Sequence, residues 1–236
     1  MGAEMQEVEL IESIGALAPM LEEQALQAER DRKPVDSVMA AIEETQAYRW
    51  FVPKKYGGFE FSLEGFMEVG MMLGAADVST AWVVTFCMEH NWLMGLYSAE
   101  GQDTIFRKHP YIIAPGALAP KGTARPVDGG YVVTGRWQWG TGVMHANHVM
   151  VGALTDHDGD PELCMYVLPI EDAEVIDTWH MSGMVATGSN DIAVTEKFVS
   201  ACLRLNLTDM RAGDSPGAKL HKTTNFRMPM LPVLGL

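Results

Sequence analysis

Apolar residues repeat at two different spacings along this chain, and the spacing changes near Pro110. Before it, steps of three and four dominate. Val8, Ile11, Ile14, Leu17 and Leu21 fall on one helical face, with Pro19 expected to kink or restart the helix. A second helix is predicted over PVDSVMAAIEETQAY, with Val38 and Ile42 on one side. YGGF at 56–59 marks a turn, and Ser62 is placed to cap LEGFMEVGMMLG, where Phe66, Val69 and Leu73 line up. Asp77 or Ser79 can cap TAWVVTFCMEHNWLMGLY, which is apolar almost all round and reads as a buried helix. That segment is too short, and through Glu89, His90 and Asn91 too polar, to cross a bilayer.

After Pro110 the texture is that of strands. YIIAPGAL, GYVVTGRWQW, HVMVGALT, LCMYVLPI, AEVIDTW and DIAVTEKFV are short β-rich runs separated by Gly, Pro, Asn and Asp. VDGGY at 127–131 signals a hairpin, since Gly129 and Gly130 accept positive φ. A helical block followed by a strand block predicts the α+β class with segregated domains: a helical domain over 1–109 and a β-sandwich or barrel over 110–208. From Asp209 the periodicity fades. The tail holds three prolines and ends in LPVLGL, so 209–236 reads as a linker leading to a further helical element.

Charge narrows the partners. Seventeen basic against 31 acidic side chains give a formal charge of -14, which repels nucleic acid and anionic membranes. Cys87, Cys164 and Cys202 are odd in number and form no C-x-x-C pair, so they read as reduced thiols rather than a disulfide framework or zinc site. Without a signal pattern, a cytoplasmic location is the default expectation.

Few residues bear obvious chemistry. His90 sits mid-helix beside apolar neighbours; it reads either as a general base or donor toward a substrate, or as a core histidine satisfied by a backbone carbonyl. His145 and His148 lack a third ligand at convincing spacing, so no metal is expected. Phosphate loops and nucleophile elbows are missing. ATGSND at 186–191 is a polar turn whose Thr187, Ser189 and Asn190 either bond a ligand or close the turn. In GRWQWGTG at 135–142, strand alternation puts Trp137 and Trp139 on the same side, either as core or as an aromatic wall with Thr141 supplying a hydroxyl.

Taken in order, several stretches resemble one family. WFVPKKYGGFEFSLEGF (50–66) is similar to the VP-x-x-YGG signature of the acyl-CoA dehydrogenase superfamily. DVSTAWVVTFCMEHNWLMGLYSAEGQDTIF (77–106), LAPKGTARPVDGGYVVTGRWQWGTG (118–142) and DTWHMSGMVATGSNDIAV (177–194) resemble its reduced-flavin monooxygenase branch. The resemblance implies a helical domain, a β middle domain and a C-terminal four-helix bundle, usually assembled as a tetramer. It also implies an oxygenase using reduced FMN or FAD and O2, with a flavin reductase as supplier and a small aromatic or heterocyclic substrate.

By the same resemblance Thr141 holds the flavin edge, Trp139 is the neighbouring aromatic, His90 faces the substrate, and Thr187, Ser189 and Asn190 approach the flavin. Val185 stands where the family carries an arginine. The implied bundle falls beyond residue 236, so the chain alone is expected to bind flavin weakly. The competing readings are an acyl-CoA dehydrogenase-like flavoenzyme and a non-catalytic binding or assembly module of the same fold.

Overall fold

The computed structural model describes residues 6–157 and 160–234; the final Gly235 and Leu236 of LPVLGL lie outside it. Six helices lead: α1 (Glu7–Gly15), α2 (Ala18–Asp31), α3 (Asp36–Glu44), α4 (Leu63–Ala76), α5 (Val78–Gly95) and α6 (Ala99–Phe106). The first helical run breaks at residues 16 and 17, and Pro19 sits in the first turn of α2, where its missing N–H leaves no hydrogen bond unmade. Leu10, Ile14 and Leu21 form the buried face, whereas Val8 is exposed. Ser62 caps α4 by accepting from the Gly65 amide, and Asp77 caps α5 by accepting from the Thr80 amide at 2.8 Å.

Seven strands follow: β1 (Gly116–Val127), β2 (Gly130–Trp137), β3 (His148–His157), β4 (Asp160–Pro169), β5 (Glu174–Ile176), β6 (Asp191–Ser200) and β7 (Arg204–Asn206). They form one sheet in the order β5-β6-β2-β1-β3-β4-β7, antiparallel except between β1 and β3. Asp128 and Gly129 make the β1–β2 hairpin turn, with the positive φ on Gly129 rather than Gly130. The sheet curls on itself. Tyr131 on β2 meets Tyr166 on β4 edge to face at 5.4 Å, although two strands separate them in the ladder.

Trp137 closes that curl. Its indole N–H donates to the Gly152 carbonyl at 2.7 Å, and its ring lies over Gly122 and Gly135, where a side chain would collide with it. Trp139 behaves otherwise, and the expected same-side pair is not formed. β2 ends at Trp137, Trp139 takes φ 66, and its ring is 65% exposed while that of Trp137 is 0%. The reason is the docked turn that follows, where the Gly140 N–H bonds the Asn190 carbonyl at 2.9 Å and pulls the chain out of strand geometry.

The helical core reaches across to Met150, Met165, Val167 and Leu205 of the sheet. Residues of the segment predicted as a linker join the same core. They form α7 (Leu207–Ala212), α8 (Pro216–Leu220) and α9 (Met230–Leu234). Phe226 fills a hollow that exists only because Gly95 carries no side chain, and the Trp92 indole donates to the Asn225 carbonyl at 2.8 Å.

Candidate active site

Two adjacent residues of α5, His90 and Asn91, assemble the first part of the site. Asn91 donates its amide to the carbonyls of Cys87 and Ile112 and accepts from the Ile112 N–H at 2.8 Å, docking the chain at 112–116 onto the helix. His90 then donates from Nδ1 to the Ala114 carbonyl at 2.6 Å. A carbonyl can only accept, so Nδ1 carries the proton and Nε2 is a bare lone pair. The ring packs on Gly116, whose backbone leaves no room for a Cβ (2.6 Å to Cε1), and stands against Phe86 with centroids 4.3 Å apart. Burial pushes the His90 imidazole down to about 4, the Ala114 carbonyl opposing only weakly. The Nδ1 bond to the Ala114 carbonyl is compatible with both readings of His90, since it leaves Nε2 unprotonated, and burial disfavours the charged imidazole.

The second part is a pair of opposed turns. Gly140 and Gly142 donate to the carbonyls of Asn190 and Thr187, so residues 139–142 and 187–190 are held together backbone to backbone. Gly142 takes φ 76 and lies against Val83 and Cys87 of α5, one helical turn before His90. Between the turns three hydroxyls meet. Thr187 Oγ1 donates to the Met184 carbonyl at 2.9 Å, Thr187 and Ser189 are 2.8 Å apart, and Ser189 and Thr141 are 3.0 Å apart.

Donor bookkeeping fixes the direction of this relay. The Thr187 proton is committed to Met184, so Ser189 must donate to Thr187, and Thr141 must donate to Ser189. Thr141 therefore presents spare acceptor lone pairs and no spare proton. Of the three residues Thr141 is the least buried, though it too lies in the interior.

Asn190 is brought to the same place but faces inward. Its Oδ1 accepts from the amides of Thr178 and Trp179, both at 3.0 Å, fastening the Asp177–Trp179 segment over the turn. Trp179 donates to the Met184 carbonyl, and Asp177 pairs with both guanidinium nitrogens of Arg32. Trp139 stands exposed at the lip. Val185 lines a separate hollow of about 200 Å³ beside Ser79 and Met184. Among the described residues no group of three or more His, Cys, Asp or Glu is placed to hold a metal ion.

On its other face α5 makes a groove of about 400 Å³ with α4. Glu89 lines it, and sequence reasoning passed over this residue as merely too polar for a membrane span. The available signal was a single carboxylate inside a helix apolar on every face.

No protein-family model matches the chain. It is 32% identical over 225 residues to the pigment production hydroxylase of a Rhodococcus species, covering 95% of this chain and 58% of that protein. It is 30% identical over 220 residues to the flavin-dependent monooxygenase oxygenase subunit HsaA of Rhodococcus jostii, covering 93% of this chain and 58% of that one. Its fold superposes with TM-score 0.86 on XiaF from Streptomyces sp., solved with FADH2 and glycerol, at 29% identity over 97% of this chain and 58% of that chain. The chain thus spans a little over half the length of the relatives it matches. It is a homologue of the acyl-CoA dehydrogenase-fold oxygenase components of two-component flavin-dependent monooxygenases.

Proposed function

We propose that the chain supplies the flavin-facing wall of an oxygenase component that hydroxylates a small aromatic molecule, taking reduced FMN or FAD from a reductase and O2 as co-substrate. The observation that carries this reading is the directed hydroxyl relay ending on Thr141. Reduced flavin carries an N–H on its central ring where the oxidised form has a bare nitrogen. Thr141, left with acceptor capacity only, suits the reduced form. The residues present fit the group in a second respect: the turn is glycine-lined, its backbone amides are already paired, and Trp139 stands beside it in a left-handed conformation that a tryptophan rarely adopts.

Reduced flavin, when bound, supplies the electrons for activating O2. The chain's own residues do the rest. Thr141 accepts from the flavin edge and orients it. Asn190 and the 177–179 segment keep the turn rigid. Phe86 and the apolar face of α5 exclude water. His90, neutral and proton-free at Nε2, accepts a hydrogen bond from a substrate hydroxyl and can take its proton as charge develops there. Assembly as a tetramer belongs to the same reading.

Anaerobic titration with reduced FMN and FAD tests it. The wild-type chain is expected to bind the reduced flavin more tightly than the oxidised one, and Thr141→Val to weaken reduced-flavin binding about fivefold, the worth of one neutral hydrogen bond. Equal binding by Thr141→Val would remove the relay from the account.

A further inference from the structure

The strap at 112–114 links α6 to β1, and two asparagines grip it from opposite sides. Asn91 of α5 takes Ile112 by both of its backbone polar groups. Its Oδ1 accepts the Ile112 N–H at 2.8 Å, and its Nδ2 donates to the Ile112 carbonyl at 2.9 Å. Asn147, on the loop that carries Thr141, does the same to Ile113. Its Oδ1 accepts the Ile113 N–H at 3.0 Å, and its own backbone N–H donates to the Ile113 carbonyl at 2.8 Å. Each asparagine thus stands in for the strand that would otherwise pair with this segment.

His148 adds an outer support. An amide oxygen can only accept, so His148 donates from Nδ1 to Asn147 Oδ1 at 2.9 Å, and its backbone N–H reaches the same Ile113 carbonyl at 3.3 Å. The ring is buried and stands edge-on to His109, with centroids 5.0 Å apart. Next along the strap is Ala114, whose carbonyl receives the His90 Nδ1–H. Its far side is held too, by the Met150 N–H on the Pro115 carbonyl at 2.9 Å. Ile112, Ile113 and Ala114 are all buried, so bulk water does not replace a partner lost there.

We propose that Asn91 and Asn147 are positioning residues for His90: by fixing the Ala114 carbonyl from the helix and from the β wall, they keep the imidazole in its Nδ1–H tautomer and its Nε2 as an acceptor. A neutral imidazole has one proton for two nitrogens, and the bond made by one decides the character of the other. If the carbonyl moves off, the proton is free to shift to Nε2, which then donates where it had accepted. Asn147 lies one short helical turn, Val143–His145, beyond Thr141, so the same grip references His90 to the loop of the hydroxyl relay. That Nε2 meets a substrate hydroxyl rests on the reading above; the tautomer and its supports do not.

The experiment uses the full chain without flavin, labelled with ¹⁵N in its histidine rings. Long-range ¹H–¹⁵N correlation is recorded at pH 7, where burial keeps His90 uncharged and its shifts report the tautomer alone. The His90 signals are assigned by their loss in His90→Gln. Wild type is expected to show a protonated Nδ1 and a bare Nε2. Asn147→Ala and Asn91→Ala should each lower the ratio of Nδ1–H to Nε2–H about fivefold, the worth of one neutral hydrogen bond. Asn147→Asp, which keeps the accepting oxygen, should restore it.

Two further variants separate positioning from plain stability. His148→Phe leaves both asparagines in place; it should shift the ratio the same way by less, and it decides the matter should the asparagine variants not fold. Val199→Ala is an ordinary truncation in the β core, which should lower stability and leave the tautomer alone. An Nε2–H form in wild type, a ratio unmoved by Asn147→Ala or Asn91→Ala (or by His148→Phe in their place), or an equal shift in Val199→Ala would overturn the proposal. If the tautomer responds as expected but reduced flavin ignores Thr141, the strap stands and the hydroxylase reading falls. If the flavin result holds and the tautomer result does not, the reverse applies.

Discussion

The two polar sites that flank α5 differ in how their groups are satisfied. At the β wall, Thr141, Ser189 and Thr187 pass one proton direction from Thr141 to the Met184 carbonyl, and His90 has its Nδ1 tied to Ala114. Each of these hydroxyl protons is committed to an internal bond, and Thr141 keeps spare acceptor capacity. In the α4/α5 groove, Glu89 is largely buried and has no hydrogen-bond or ion-pair partner among the described residues. The first arrangement costs nothing further to hold and selects a ligand by the sign of its hydrogen bond. The second leaves a carboxyl whose charged form is disfavoured by burial. The two arrangements lie on adjoining faces of one helix, with Phe86 between them, and each makes its own experimental signature.

The comparison breaks first if the wall is not rigid. Trp137 anchors the strand that leads into it, so Trp137→Ala should cost about 3–5 kcal/mol in denaturant unfolding, the usual range for a large core aromatic. A loss under about 1 kcal/mol would mean that the curl of the sheet does not depend on it.

Glu89 sharpens the contrast next. Its folded value lies above the ordinary 4.5, so between about 4.5 and about 8 the native state binds the extra proton. Stability is fully present below that window and is lost as pH rises through it. Wild type should therefore lose up to about 1.4 kcal/mol per pH unit relative to Glu89→Gln between pH 5 and 8, as followed by urea unfolding at several pH values. Parallel curves would place a partner on the carboxyl.

His90 runs the opposite way. Its folded value lies below the ordinary 6.5, so the native state holds it neutral while the unfolded chain protonates, and stability falls as pH drops from about 6.5 toward about 4. Its imidazole NMR signals should show the neutral form down to pH 5. A midpoint near 6.5 would put the ring in water rather than against Phe86 and Gly116.

The smallest effect concerns the lip of the wall. Trp139 is exposed and held at φ 66, so Trp139→Gly should change stability by less than about 1 kcal/mol, in the stabilising direction. A clear destabilisation would show that the indole packs on something.

These residues also show what the sequence could and could not disclose. Helix caps at Ser62 and Asp77, the Asp128–Gly129 hairpin and the buried character of α5 follow from local rules, because their causes lie within a few residues. The convergence of 139–142 with 187–190 was legible only through the family order of the motifs, since no local rule links turns almost 50 residues apart. Trp139 escaped strand alternation because a long-range hydrogen bond, Gly140 to Asn190, ends the strand early. The inward turn of Asn190 depends on the distant amides of Thr178 and Trp179.

The central claim is that the wall presents an acceptor matched to a reduced flavin. Its most direct test is the ratio of reduced to oxidised flavin affinity, measured anaerobically for wild type, Thr141→Ser and Thr141→Val with both FMN and FAD. The account predicts a ratio well above one for wild type and Thr141→Ser, and a fall of about fivefold for Thr141→Val with oxidised-flavin binding little changed. A ratio that stays the same in Thr141→Val would contradict it.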